Sequence, residues 1–200
     1  KVYLELFLEG NLTETNNSLI KYVDRVGYAL VDEVEVEIGG QRIDKHYGVW
    51  MEIWAELTHS AMKETCLDKM IHNTGLGEKR YYVPLQFWFC RNPGCALPLI
   101  ALQYHEVKIN LTFRPLLDLI ENLGAASATT SPALSSASLY VDYIYLDTDE
   151  RRRFAQVSHE YLIEQVQCQQ EGSSSSFKLN FNHPVKELIW TGAYTAASGA

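Results

Sequence analysis

Two hundred residues, 46% hydrophobic and 12% aromatic, supply enough apolar surface for a buried core, which argues against a chain disordered throughout. A formal net charge of −8 argues against wrapping nucleic acid through a basic face and against adsorption to an anionic membrane. No apolar run approaches the roughly 18–20 residues that a membrane-spanning helix needs.

The chain opens on Lys1, with no signal-peptide pattern, directly into an alternating segment. It closes on the small residues 195–200, so both ends read as cut from a longer polypeptide. In Val2–Leu8, Val2, Leu4, Leu6 and Leu8 share one face, which predicts a strand with a wholly apolar side. Residues 10–18 are polar and read as a loop, and residues 19–25 enter the next element. Over 27–40, Val34, Val36 and Ile38 alternate with Glu33, Glu35 and Glu37, and Gly39-Gly40 supplies a two-residue turn at positive φ. Gln41–Ile43 begins the return strand. Asp44 then reads as the cap of a helix over 45–58, with Trp50, Ile53, Trp54 and Leu57 on its apolar face. A further helical turn is predicted around 61–70.

Tyr81–Phe89 is aromatic-rich and predicts a strand, ended by the turn Arg91-Asn92-Pro93-Gly94. Residues 96–102 fit either a short helix or an extended segment. His105–Phe113 alternates again, with Val107, Ile109, Leu111 and Phe113 on one side. The Ala/Ser/Thr-rich stretch 125–138 reads as a flexible surface loop. Strands follow at 139–146, 161–166, 177–181 and 185–190, interrupted by the charged block 147–153 and a polar stretch at 167–176. About eight short strands with one or two brief helices, and no alternation with crossover helices, predict an all-β sandwich or jelly roll with short inserted helices.

Chemistry-bearing motifs are sparse. There is no Ser-nucleophile elbow, no HExxH zinc motif and no phosphate loop. The histidines are scattered without the HxH of a cupin metal site, and His105 reads as a satisfied or boundary residue. Cys66, Cys90, Cys95 and Cys168 lack zinc-site spacing and read as buried free thiols, with a Cys90–Cys95 disulfide as the minor alternative. Glu33, Glu35 and Glu37 form a carboxylate row that is either a solvated face guarding against stray pairing or a paired-carboxylate glycosidase site. In 147–153, the acids Asp147, Asp149 and Glu150 precede Arg151, Arg152 and Arg153, which reads as an ion-pair network at a domain junction rather than an anion site. Asn11 and Asn16 sit in loop sequons for N-glycosylation, whereas the Asn110 sequon falls in a strand. No catalytic, metal or cofactor-binding residue is indicated.

Seven segments carry a resemblance: 34–44 (VEVEIGGQRID), 50–58 (WMEIWAELT), 82–98 (YVPLQFWFCRNPGCALP), 102–113 (LQYHEVKINLTF), 149–155 (DERRRFA), 160–167 (EYLIEQVQ) and 182–190 (NHPVKELIW). In this order they resemble the major capsid protein of nucleocytoplasmic large DNA viruses, most similar to the algal, chlorella-virus type. The resemblance implies a tandem double jelly roll and a structural protein, not an enzyme, without cofactors. It implies a homotrimer forming a pseudo-hexagonal capsomer of an icosahedral virion shell. The partners implied are neighbouring capsomers and minor capsid proteins, without direct nucleic-acid contact or membrane insertion, and assembly is implied in the host cytoplasm. It further implies that residues 1–155 are a first jelly roll lacking its opening strands and that 156–200 begin a second. The competing readings are a carbohydrate-binding jelly-roll module stacking sugars on Tyr3, Phe7, Trp88 or Tyr145, and a cupin-like or glycosidase enzyme.

Overall fold

A computed structural model describes residues 1–9, 20–72, 79–122, 133–172 and 174–192. The chain divides into two compact units, residues 1–166 and 167–200.

The first unit is built on two three-stranded antiparallel sheets. Strand β1 (Val2–Glu9) takes the centre of one because its period-2 pattern gives it a fully apolar face: Val2, Leu4, Leu6 and Leu8 are buried. It pairs with β5 (Lys79–Pro84) on one side and β8 (Ala133–Val141) on the other. In the second sheet, β3 (Val31–Ile38) lies between β4 (Gln41–Tyr47) and β6 (Val107–Phe113). A short pair, β2 (Ile20–Tyr22) with β7 (Ile120–Asn122), forms a third ladder. The buried faces of both larger sheets join one core that includes Leu4, Leu6, Val34, Val36, Tyr81 and Val83. Burying each such aliphatic side chain stabilises by roughly 1.5–3 kcal/mol.

The β3–β4 hairpin turns at Gly39 and Gly40, whose φ angles of 59° and 81° give the mirror-image turn that matches strand twist. A Cβ on Gly39 would stand 2.7 Å from the His105 ring, so the site needs glycine on space as well as on φ. Helix α1 (Val26–Leu30) precedes β3, shortening the strand predicted from residue 27.

Helix α2 (Gly48–Thr58) begins later than predicted. Residues 45–47 stay in β4, held by the ladder to β3, where Glu33 faces Tyr47. Asp44 is therefore a buried strand residue and not a helix cap. The buried stripe of α2 is also different: Gly48, Met51 and Ala55 face inward, while Leu57 is exposed. Small residues win this face because they let the helix backbone approach α1 closely, a preference that hydrophobicity alone does not register. Helix α3 (Ala61–Ile71) falls where the second helical segment was expected, around 61–70, and buries Leu67 and Ile71.

The strand predicted over 81–89 ends at Pro84, and Trp88–Arg91 forms the short helix α4, followed by a 3-10 turn at Pro93–Cys95. Proline removes a ladder donor, so pairing stops there. Residues 133–138 correct the loop predicted over 125–138: they belong to β8, paired to β1 with Ala137 opposite Leu6 and Ser138 opposite Glu5. Small side chains hid a strand whose register is set by its neighbour; residues 125–132 of that loop lie outside the described residues. The strand predicted over 139–146 keeps its ladder only to Val141.

The strands β8 and β6, each at the end of its sheet, carry apolar side chains that are only partly covered. Val141 faces Val2 and Leu139 faces Leu4 across the ladder, so each pair points to the same side. Val2 and Leu4 are 5% and 1% exposed, but Val141 and Leu139 are 40% and 41% exposed. On the other sheet, Val107, Ile109, Leu111 and Phe113 of β6 are only half-buried, although their β3 neighbours Val34 and Val36 are fully buried.

In the second unit no described residue joins a sheet ladder, so the strands predicted at 177–181 and 185–190 are without strand partners there. The strand predicted at 161–166, in the first unit, has none either. Side chains substitute for a ladder in the second unit. Gln167 bonds both the N–H and the carbonyl of Asn182, and Gln169 accepts from the Asn180 N–H and donates to the Lys178 carbonyl. Phe177, Leu179, Val185, Leu188 and Trp190 remain exposed.

Candidate functional site

The outer face of β1 carries Tyr3, Glu5 and Phe7, the residues that alternation turns away from the core. Tyr3 stacks on Tyr140 of β8 with ring centroids 5.2 Å apart and planes 5° from parallel, and meets Tyr82 of β5 edge-on. Between them, Glu5 accepts hydrogen bonds from Tyr140 at 3.0 Å and Tyr82 at 3.1 Å, and Arg80 lies 3.3 Å away. The Tyr140 hydroxyl, then the Tyr82 hydroxyl and the Arg80 charge, hold the Glu5 carboxyl below its ordinary range against the opposing effect of desolvation. A depressed carboxylate stabilises the fold above its unfolded pKa and stops doing so as pH falls through the folded value. Stability should therefore drop as pH falls below the ordinary glutamate range, and Glu5→Gln should flatten that part of an acid-unfolding curve. An unchanged curve in the variant would remove Glu5 from the account.

Of the proposed sugar-stacking aromatics, Tyr3 and Phe7 are half-buried on this face, with Arg80 over Phe7. Trp88 is 8% exposed and belongs to the core, so it offers no platform. Tyr145 is exposed, next to exposed Tyr143 and Ile144.

The carboxylate row on β3 is neither bare nor arranged for acid–base chemistry. Lys45 pairs with Glu33 and approaches Glu35 at 3.5 Å; Arg42 reaches Glu35 at 3.1 Å; Asn110 donates to Glu37 at 3.4 Å. Cations on the neighbouring strand thus neutralise the row across the ladder.

The densest charged cluster was not foreseen. Arg25, in left-handed backbone geometry at φ 50°, lays its guanidinium between α2 and α3. It meets Glu52 at 2.6 Å, Glu64 at 2.7 Å, Asp68 at 3.0 Å and Glu56 at 3.3 Å. Burial opposes its charge, but Glu52 above all, then Glu64 and Asp68, outweigh this and raise its pKa. The signal in the sequence is the spacing of the acids: 52 and 56, then 64 and 68, are i,i+4 pairs on consecutive helices. Two such rows facing one another require a cation between them.

The charged block places Asp147 as N-cap of helix α5 (Thr148–Gln156), its carboxylate accepting the Glu150 N–H at 2.8 Å. Asp149 and Arg152 form an exposed pair at 3.4 Å, and Glu150, Arg151 and Arg153 lie on the same exposed helix. Asn11 and Asn16 lie outside the described residues. All four cysteines are free; Cys66 and Cys168 are exposed, against the expectation of burial, while Cys90 and Cys95 are half-buried. Burial pushes the Cys90 thiol up to about 11. Among the described residues no group of His, Cys, Asp and Glu could hold a metal ion, and no helix is long and apolar enough to cross a membrane.

Charge thus holds elements together, and among the described residues no cluster assembles a nucleophile with a base. Comparison with known proteins agrees with such a scaffold. Residues 1–147 match the family model described as major capsid protein N-terminus, and residues 150–199 match that of the large eukaryotic DNA virus major capsid protein. The major capsid protein of Pyramimonas orientalis virus is 56% identical over 198 residues, covering 92% of this chain and 48% of that protein. That of Paramecium bursaria Chlorella virus 1 is 44% identical over 212 residues, covering 96% of this chain and 48% of the relative. The chain thus spans about half the length of these relatives. The crystal structure of PBCV-1 VP54, fitted into a reconstruction of the virophage Sputnik, superposes with a TM-score of 0.65 at 37% identity, over 82% of this chain and 39% of that one. A quasi-atomic model of the PBCV-1 virus capsid superposes at 0.66 and 39% identity, with the same coverage. The architecture is a jelly-roll β-sandwich with short inserted helices, and the chain belongs to the major capsid protein family of large eukaryotic DNA viruses.

Proposed function

We propose that the full-length protein is the shell-building subunit of an icosahedral virion, with three copies forming a pseudo-hexagonal capsomer. The observation that carries this reading is the match of two successive capsid family models along the chain, residues 1–147 and 150–199. Residues 1–155 then form most of a first jelly roll and 156–200 open a second. The half-exposed apolar rows of β6 and β8 support the first assignment, since one further strand beside each would close the sandwich. The uncovered Phe177, Leu179, Val185 and Trp190 support the second, since such residues await a facing sheet.

On this reading the protein is not an enzyme. Its partners are two further copies, neighbouring capsomers and minor capsid proteins, with no direct grip on the genome and no membrane insertion, and it assembles in the host cytoplasm. The charged block at 147–153 lies at the junction, and Asn11 and Asn16 remain candidates for glycan attachment. The carbohydrate-module alternative is disfavoured because Trp88 is core and both oxygens of Glu5 already accept from tyrosine hydroxyls. Electron microscopy of the purified full-length protein is the test. Threefold particles with a six-sided outline are expected, and single compact particles without symmetry would overturn the proposal.

A further inference from the structure

Strand β4 buries a carboxylate and an imidazole where the β-sandwich has no need of either. The side chains of Asp44 and His46 are each 1% exposed. Asp44 Oδ2 and His46 Nε2 lie 2.9 Å apart, though without the alignment of a hydrogen bond. The imidazole stacks on Phe87 at 4.4 Å. Burying a carboxylate is costly unless donors reach it, and an aliphatic residue at position 44 would pack the same space without that cost.

The donors that reach it are informative. Asp44 Oδ1 accepts the N–H of its neighbour Lys45 at 2.9 Å and the N–H of Val166, 122 residues further along, also at 2.9 Å. Two adjoining contacts hold the same tripeptide. Gln165 donates its side-chain amide to the Ile43 carbonyl, and Arg91 grips Glu164 at 2.8 Å. Arg91 is itself set in place: its Nε donates to the Gln86 carbonyl at 2.9 Å, and its guanidinium lies 3.9 Å over the Trp54 ring. One charged side chain, one carbonyl and one buried carboxylate therefore read three successive residues by charge, by side-chain amide and by backbone.

We infer that Asp44, Arg91 and the Ile43 carbonyl form an intrachain binding site whose ligand is the segment 164–166, clamping the connector after α5 onto β4. His46 packs beside the other carboxylate oxygen, its Nε2 2.9 Å from Asp44 Oδ2. The clamp fixes the last residues of the first unit to its own sheet, independently of whether the protein builds a capsomer.

Hydrogen exchange of the full-length protein, read on peptides spanning 160–168, tests this directly. The Val166 amide should be protected in the unaltered protein. Asp44→Asn keeps the shape and one oxygen but loses the charge, and should speed exchange in this segment about tenfold, the difference between a charged and a neutral acceptor. Glu164→Gln, at a half-exposed position where folding is not at stake, should speed exchange there severalfold with an unchanged melting temperature. If Asp44→Asn fails to fold, Glu164→Gln decides alone. Unprotected exchange in the unaltered protein, or the same rate in Glu164→Gln, would overturn the clamp.

Discussion

Replacing Gly48 by alanine is expected to destabilise the full-length protein by about 3 kcal/mol, a large effect for one methyl group. The added Cβ would stand 2.2 Å from the Tyr28 carbonyl oxygen and 2.4 Å from that of Val31. Neither atom is the far end of a flexible side chain; both are backbone where α1 runs into β3. The start of α2 must therefore move outward, and Met51 and Ala55, now 0% and 3% exposed, lose their packing against the core. Thermal unfolding followed by circular dichroism should show a midpoint lower by roughly 3–6 °C, since the unfolding entropy grows with chain length. Gly40→Ala is the control. Its Cβ would meet nothing within 4 Å, so only the positive φ of 81° opposes it, at about 1 kcal/mol. Equal midpoints for the two variants would contradict the close approach of α2.

Arg25→Ala should be the next most damaging change, by about 2–3 kcal/mol. The guanidinium is 16% exposed, but its four partners are 38–63% exposed and partly screened by solvent, which keeps the figure below that of a fully buried network. The cost arises less from lost attraction than from what remains: Glu52, Glu56, Glu64 and Asp68 facing one another with their shared cation removed. Repulsion of that kind is screened by salt, so raising ionic strength should recover part of the variant's stability and little of the parent's. Arg25→Lys keeps the charge but not the fork that reaches four carboxylates, and should fall between the two. A stability loss in Arg25→Ala that is indifferent to salt would mean that packing of the side chain, not charge, holds α2 to α3.

The strands that could be read in advance were those whose own residues alternate. β1 and β6 follow period 2 closely, and Gly39-Gly40 announced its turn because only positive φ suits a two-residue hairpin. β8 could not be read that way. Ala133–Ser138 has little hydrophobic contrast, and its pairing is imposed by β1 rather than by its own pattern. The inward face of α2 was missed for a related reason: Gly48 and Ala55 are chosen for closeness to backbone, and a search for large apolar residues selects Trp50 and Trp54 instead.

Charged clusters were harder still, because they join residues distant in sequence. Arg25 with Asp68, and Asp44 with Val166, have no local pattern that names the partner. The carboxylate row on β3 was visible, but its neutralisation by Arg42 and Lys45 depends on the hairpin register. The resemblance to capsid proteins was legible throughout, since its seven segments lie on the elements that form the sandwich, its helical insertions and the stretch beyond α5.

The native mass of the full-length protein, measured by light scattering on a sizing column over a wide concentration range, tests the central claim most directly. Three chains per particle at every concentration is the result expected of a capsomer. A monomer that persists at the highest concentration would contradict the shell-building role while leaving the jelly-roll fold in place.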